Sequence, residues 1–147
     1  MYALSVRQPF ASLILSGEKR YEARSWLLKE PGWLLLHASS NIGLTKAELA
    51  KAPFATAIKK ANLAADPRQL PRSGLIGAFE VTGFVHTPHS RVSKRDLALC
   101  CDPAEDVLWK IGKRITFVRT YPCKGKLGLF VPDDDVLVPA MAELERR

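Results

Sequence analysis

The sequence predicts an α+β fold, a small curled sheet or barrel of about five to six strands with helices packed outside it. The 147-residue chain has ordinary globular composition, with 47% hydrophobic and 25% charged residues, and this length suits one domain with one core. β-rich runs alternate with short helical patterns. The longest run, Gly74–Val85, contains Gly77 and Gly83, which are typical of bulges or bends.

The first elements follow from local signals. Ala3–Val6 alternates as a strand, and a short helix with one apolar face follows, with Pro9 at its first position and Gly17 at its end. Lys19–Trp26 alternates as a second strand. Trp33–Ala38 is too apolar to be exposed on both faces, so it is predicted to be a central strand.

The middle of the chain predicts two helical regions. Thr45 and Glu48 have the spacing of a capping box, which predicts a helix over about Lys46–Asn62. Pro53 removes a backbone hydrogen bond, so this helix is expected to bend or break there. Ser93–Cys101 is predicted to be another short helix.

The C-terminal third predicts two more strands, Ile115–Tyr121 and Leu127–Val131, joined by the sequence Pro-Cys-Lys-Gly-Lys. An acidic turn and a short helical tail are expected to follow. No internal repeat, low-complexity tract or linker is visible. Residues 1–147 are therefore expected to form a single domain.

The charge balance indicates the kind of partner. Twenty-two Lys and Arg residues against fifteen Asp and Glu give a formal net charge of +7. An excess of positive charge on a small domain favours a polyanionic partner, and nucleic acid or a nucleotide is the first expectation. No apolar run approaches the ~20 residues of a membrane span, so no membrane partner is expected.

The cysteine and histidine patterns predict neither a disulfide framework nor a metal site. The three cysteines are an odd number, two of them are adjacent, and no C-x-x-C spacing occurs. His86 and His89 are better explained by a turn around Pro88. We expect no cofactor, and a reducing compartment: the cytoplasm, or the nucleus in a eukaryote. No targeting leader is visible at the N-terminus.

The segment LSVRQPFASLILSGEKRYEARSW resembles the opening of the activating-signal-cointegrator homology (ASCH) domain, whose hallmark is G-x-K-x-x-E-x-R. Gly17, Lys19, Glu22 and Arg24 occupy the hallmark positions here. Gln-Pro before the first helix, the strand GLIGAFEV and the sequence YPCKGK extend the resemblance over about residues 3–131.

The resemblance implies a PUA-like β-barrel with a cleft where the hallmark residues gather. It also implies a role with nucleic acids or nucleotides, since members have been described as RNA or DNA binders, parts of coactivators, ribonucleases and amidohydrolases of acetylated cytidine. The amidohydrolases carry a threonine nucleophile where this chain has Glu22, so that mechanism does not transfer intact. Glu22 followed by Trp26 looks more like the coactivator-type branch.

The favoured hypothesis is a nucleic-acid-binding module that contacts mainly the phosphate backbone with low sequence specificity. The resemblance and the residue types assign eight residues to the interface: Gln8, Lys19, Tyr21, Glu22, Arg24, Trp26, Lys124 and Lys126. The basic residues would contact phosphates, and Glu22 would orient Arg24. Gln8 would position a base edge, and Trp26 or Tyr21 would stack on a base.

Two other hypotheses remain open. The chain could be a hydrolase, either a nucleoside amidohydrolase of the N4-acetylcytidine type or a ribonuclease, with Lys19 and Glu80 as its proton-transfer pair. It could instead bind protein partners in trans. The serines near the hallmark have no histidine at a recognisable spacing, and His37 is expected to be a satisfied core histidine. A second basic cluster is a candidate flank of the cleft: Lys110, Lys113, Arg114 and Arg119.

Overall fold

The structure, a computed structural model, describes residues 1–101, 103–104 and 106–147. The strands are β1 (Ala3–Gln8), β2 (Tyr21–Arg24), β3 (Gly32–Ile42), β4 (Gly74–Val85), β5 (Val107–Pro122) and β6 (Leu129–Phe130). The helices of the described residues are α1 (Phe10–Ser16), α2 (Lys46–Leu49), α3 (Phe54–Lys60), α4 (Lys94–Ala98) and α5 (Asp134–Glu145), with a 3-10 turn at Pro67–Gln69. The predicted α+β class is confirmed.

The six strands form one mixed sheet in the order β2-β5-β4-β3-β1-β6. β1 and β3 are parallel, and the other neighbouring strands are antiparallel. The register between β4 and β5 shifts just before Gly77, between Phe79 and Val81, and just before Gly83, so two of the three irregularities lie where the glycines predicted them. This arrangement is consistent with the α+β fold of PUA-like barrels.

Helix α1 lies between the sheet and the small helices. Ala11 and Ile14 pack into a core cluster with residues of β1, β3, β4 and β5. Leu13 instead packs with Phe54 of α3 and with Leu99 just after α4. Because α1 packs apolar residues on both of these sides, its C-terminal end is fixed in position. The hallmark residues follow directly after this end.

The helix expected from residue 46 to 62 is divided as predicted: α2 carries the Thr45–Glu48 capping box, and α3 begins directly after Pro53. Two elements are longer than predicted. β5 begins at Val107 rather than at Ile115, and the C-terminal tail is the twelve-residue helix α5. α5 packs on β5, forming a second core cluster around Ala140.

Candidate functional site

A cleft of about 1240 Å³ opens beside the sheet. Its walls come from β1, β2, the end of β3 and the segment Pro122–Gly128, which leads from β5 to β6. Among the described residues, the charged side chains that line it are Arg7, Lys19, Glu22, Arg24, Lys124 and Lys126. Five cations therefore accompany one carboxylate, and this surplus of positive charge suits an anionic ligand.

The end of α1 fixes the position of the hallmark residues. Gly17 ends the helix in the left-handed region with φ +91°, and its N–H donates to the Ile14 carbonyl at 3.2 Å. A Cβ at this position would lie 2.8 Å from the Arg114 guanidinium, so space and conformation both favour glycine. The Lys19 N–H then donates to the Leu13 carbonyl at 3.0 Å, which holds the chain against α1.

Lys19 lies in the wall of the cleft, whereas the functional interpretation of the sequence placed it at the mouth. Its side chain is only 3% exposed. Nζ donates to the Tyr21 carbonyl at 2.5 Å and to Cys100 Sγ at 3.4 Å, and it lies 3.5 Å from Glu22 Oε1. These three contacts match the three hydrogens of an ammonium group. A direct phosphate contact would have to displace one of them, so Lys19 is better suited to positioning its neighbours.

Glu22 joins Lys19 to Arg24. Its Oε2 accepts from Arg24 Nε at 2.8 Å and lies 2.8 Å from Arg24 Nη2. Nη2 also donates to the Ser5 carbonyl at 3.1 Å, which ties β2 to β1. The Arg24 side chain remains 25% exposed. The guanidinium is therefore held at a fixed orientation while part of it faces the cleft.

Gln8 does not have the position that a base contact requires, and this expectation is wrong. The residue is fully buried. Nε2 donates to Ser12 Oγ at 2.8 Å and to the Pro71 carbonyl at 2.8 Å, while Oε1 accepts from the Ser12 N–H at 3.0 Å. Its amide serves to satisfy buried polar groups between β1 and α1.

Trp26 is packed on the core and is not an exposed stacking platform. Its ring meets Trp109 edge-on, with centroids 5.0 Å apart, and its carbonyl accepts from Trp109 Nε1 at 3.1 Å. Tyr21 is half-buried and contributes its backbone carbonyl to Lys19 and to the Cys100 thiol. Neither aromatic ring belongs to the cleft lining formed by the described residues.

Glu80 and Lys19 do not form the proton-transfer pair of the hydrolase hypothesis. Glu80 lies where the β4–β5 register shifts, and its Oε1 accepts from the Lys113 N–H at 3.3 Å. The same oxygen would lie 2.8 Å from a Cβ placed on Gly112. The carboxylate thus supports β5, while Lys19 is paired with Glu22. Both members of the proposed pair are engaged elsewhere.

The two basic clusters differ in their relation to the cleft. Lys124 and Lys126 are exposed on the Pro122–Gly128 segment and line the cleft. The other basic residues that the sequence marked as a possible flank are Lys110, Lys113, Arg114 and Arg119, all on β5. None of these four is part of the lining that the described residues form.

The lining also contains residues to which the sequence assigned no role in binding, among them Ser5, Arg7 and His37. Ser5 and Arg7 are two positions apart on β1, so strand periodicity could have placed them on one face. His37 is buried, and both ring nitrogens are bonded, Nδ1 to Ser5 Oγ at 2.9 Å and Nε2 to the Cys123 carbonyl at 2.8 Å. Burial lowers the pKa of His37, and the hydrogen bond to the Cys123 carbonyl opposes this only in part.

Cys100 also lines the cleft, next to the Lys19 ammonium. Burial raises the pKa of its thiol, and the neighbouring Lys19 charge offsets only part of that effect. The group is therefore a neutral thiol that donates to the Tyr21 carbonyl at 3.3 Å. Its contacts serve the packing of Lys19 and do not indicate an activated nucleophile.

The family model of the ASCH domain matches residues 4–104. The chain belongs to the ASCH family. The match covers the hallmark and the strands β1 to β4, while β5, β6 and the Pro122–Gly128 segment follow it and complete the same sheet and cleft. ASCH domains are PUA-like domains that generally bind RNA. The match assigns the family and does not distinguish among its branches.

Among curated proteins, none matches this ASCH domain. Within the part of the chain that the structure describes, no helix has the length and apolar character needed to cross a membrane.

Proposed function

We propose that this ASCH domain binds RNA in the cleft beside the hallmark residues, mainly through phosphates and with low sequence specificity. The carrying observation is the lining formed by the described residues, in which five cationic side chains accompany one carboxylate. An RNA backbone carries one negative charge per nucleotide and releases condensed counterions when Lys and Arg replace them. The proposal takes residues 1–147 as one domain, because β5 and β6 belong to the same sheet as the matched strands.

The cationic residues other than Arg7, which is exposed on β1, have three different roles. Arg24 is held by Glu22 and by the Ser5 carbonyl, so its planar group can meet a phosphate without further loss of conformational freedom. Lys124 and Lys126 are exposed and supply attraction without fixed geometry. Lys19 forms an ion pair with Glu22 and so stabilises this wall of the cleft.

Low specificity follows from the side chains that face the cleft. Sequence is read by contacts to base edges, whereas phosphate contacts fix position without reading sequence. Of the residues expected to contact bases, Gln8 is engaged in the protein interior, and Trp26 packs on Trp109 outside the lining formed by the described residues. The remaining polar lining consists mainly of short side chains such as Ser39, Ser40 and Asn41.

Fluorescence-anisotropy titration with short single-stranded RNA tests the proposal. The variant K124A/K126A should bind several-fold more weakly than the native protein. Each single-strand phosphate contact contributes about 0.7 to the slope of log affinity against log salt, so the variant's slope should be smaller by about 1.4.

The matched control is K110A/K113A, which removes the same charge from exposed β5 lysines outside the lining. Its affinity and salt slope should stay close to the native values. If both double variants lose the same amount of RNA affinity, net charge alone drives binding, and the cleft is not the binding site. Duplex RNA and DNA of the same length are titrated as well. If DNA binds more tightly than RNA, DNA becomes the proposed ligand.

A further inference from the structure

The floor of the cleft contains a serine and a histidine that RNA binding does not require. Ser5 on β1 and His37 on β3 are directly paired in the parallel ladder. Ser5 Oγ lies 2.9 Å from His37 Nδ1, and His37 Nε2 lies 2.8 Å from the Cys123 carbonyl oxygen. Serine, histidine and a group that orients the histidine thus form one hydrogen-bonded chain.

The direction of these hydrogen bonds follows from the chemistry of the acceptor. A carbonyl oxygen can only accept, so Nε2 must carry a hydrogen and donate to Cys123. Burial lowers the pKa of His37, so the ring is neutral at pH 7 and Nδ1 has a free electron pair. The Ser5 hydroxyl therefore donates to Nδ1, which is the relation of a nucleophile to its general base.

The surroundings of Ser5 favour a reaction rather than packing alone. Both residues line the cleft, and Ser5 is partly exposed. Arg24 Nη2 donates to the Ser5 carbonyl at 3.1 Å, so a cation lies beside the hydroxyl-bearing residue. A Cβ on Gly125 would lie 2.8 Å from Ser5 Oγ and 2.9 Å from His37 Nδ1. Because residue 125 is a glycine, the lysine-bearing segment passes close to the pair without a side chain that would cover it.

We propose that Ser5 is a nucleophile and His37 its general base in the hydrolysis of a carboxylic ester whose alcohol part carries a phosphate. A carbonyl stabilises an imidazolium less than the carboxylate of a Ser-His-Asp triad does, so esters, which have better leaving groups than amides, fit this base. The preference for a phosphate rests on the proposed function, because the same cationic lining would hold it. The Ser5–His37 chemistry does not depend on RNA binding.

The reaction is balanced without a further reactant besides water. As Ser5 Oγ bonds to the acyl carbon, its proton passes to His37 Nδ1. The bond from the acyl carbon to the alcohol oxygen then breaks, and that oxygen takes the proton from His37. Water attacks the acyl-serine by the same route, with His37 accepting its proton and returning it to Ser5 Oγ as the carboxylic acid leaves.

The first test is covalent capture of the native protein with a fluorophosphonate probe, followed by peptide mapping. We expect one adduct, on Ser5. The labelling rate should increase with pH and reach a plateau, with an apparent pKa below the ordinary histidine value. H37Q should label at least about 100-fold more slowly, the lower range of a general base. S39A, which removes another hydroxyl of the cleft lining, is the matched control and should label like the native protein.

An unlabelled Ser5, or a labelling rate that H37Q leaves unchanged, would overturn the proposal and leave the pair as a structural hydrogen bond. Capture on the native protein decides this even if H37Q fails to fold. Hydrolysis of 3′-O-acetyl-AMP and 3′-O-acetyladenosine then tests the phosphate. K124A/K126A should raise KM for the first substrate alone, and equal KM values for both in the native protein would remove the phosphate from the proposal.

The two proposals fail in different ways. If the native protein does not bind RNA but is labelled on Ser5, the proposed function is refuted and Ser5 remains the proposed nucleophile. S5A that still binds RNA with native affinity but cannot be labelled would support both. RNA binding without any adduct on Ser5 would keep the binding function and remove the esterase.

Discussion

Glu22 in the cleft wall and Glu143 on α5 are both nearly buried carboxylates, and an arginine contacts each of them. They differ in their other partners. Glu22 lies between two cations, Lys19 and Arg24. Glu143 accepts from the Tyr121 hydroxyl at 2.7 Å and from the Val118 N–H at 2.8 Å, besides Arg147 at 3.0 Å.

This difference distinguishes the charged wall of the cleft from a contact that only connects a helix to the sheet. Around Glu22 positive charge exceeds negative charge, and the excess faces a cleft that an anion can enter. Around Glu143 most donors are neutral groups of the protein itself, so the network is closed. Glu22 holds Arg24 in place at the cleft, which the proposed function assigns to a ligand, whereas Glu143 joins α5 to β5.

The largest effect is expected from E22Q. This change leaves the buried Lys19 ammonium without its counter-charge, and breaking a buried ion pair in this way costs about 3–5 kcal/mol of unfolding free energy. RNA affinity should fall as well, because Arg24 loses the group that orients it. Urea denaturation measures the first effect, and anisotropy titration measures the second.

The double variant K19M/E22M is the control for this charge effect. Replacing both members of a buried pair by apolar residues is often neutral, so it should recover most of the stability but not the affinity. Stability of E22Q within 1 kcal/mol of the native value would show that the pair is well hydrated, contrary to its burial.

A smaller and purely structural effect is expected from E143Q. The amide can keep some of the contacts to Tyr121, Val118 and Arg147 but loses their charge-assisted strength, at a cost of about 2–3 kcal/mol in unfolding free energy. RNA affinity measured on the folded protein should not change. E145Q, an exposed position on the same helix, is the control and should lie within about 0.5 kcal/mol of the native value. An affinity loss in E143Q alone would link the two regions.

The two regions should also respond to acid in separate pH windows. Burial lowers the pKa of His37 in the folded protein, so its stabilising contribution is present above about 6.5 and decreases as the pH falls through that value towards the folded pKa. For Glu143, burial favours a higher pKa, but hydrogen bonds from Tyr121, Val118 and Arg147 outweigh it and lower the pKa. Its contribution is present above about 4.3 and is lost at more acidic pH.

Thermal unfolding of H37Q and E143Q across this range separates the windows. H37Q should remove the pH dependence of stability just below pH 6.5 and leave the acidic window in place. E143Q should do the reverse. A native stability that is flat between pH 5 and 7 would contradict the neutral, buried state of His37 on which the general-base proposal draws.

The sequence predicted most of the fold because its signals are local. Gly74–Val85 is a strand with the predicted boundaries, and Pro53 divides the helical region as its missing N–H requires. The early part of β5 was missed because Gly112 and the surrounding basic residues weaken its strand pattern. The length of α5 was missed because Pro139 lies within it and an acidic run opens it.

The site was harder to predict, since it depends on which strands become neighbours. Ser5 and His37 are 32 positions apart and meet only through the parallel pairing of β1 with β3. From the sequence, Glu80 was paired with Lys19 by analogy. In the structure, the register of β4 shifts at Glu80, and the Glu80 carboxylate accepts a hydrogen bond from β5. Spacing along the chain shows neither the register nor the face of a strand at a bulge.

The smallest effect is expected from W26F, a change in the residue that the sequence favoured as a base-stacking platform. Since the Trp26 ring packs on Trp109 outside the cleft lining, RNA affinity should stay within about twofold of the native value, whereas a lost base–aromatic stack costs ~1–3 kcal/mol. W26L is the stricter version, because it removes the aromatic ring altogether and should lower stability without lowering affinity. Anisotropy titration at low salt would detect a tenfold loss in either variant. Such a loss would mean that the ring leaves Trp109 to meet a base, and the cleft would then read more than phosphates.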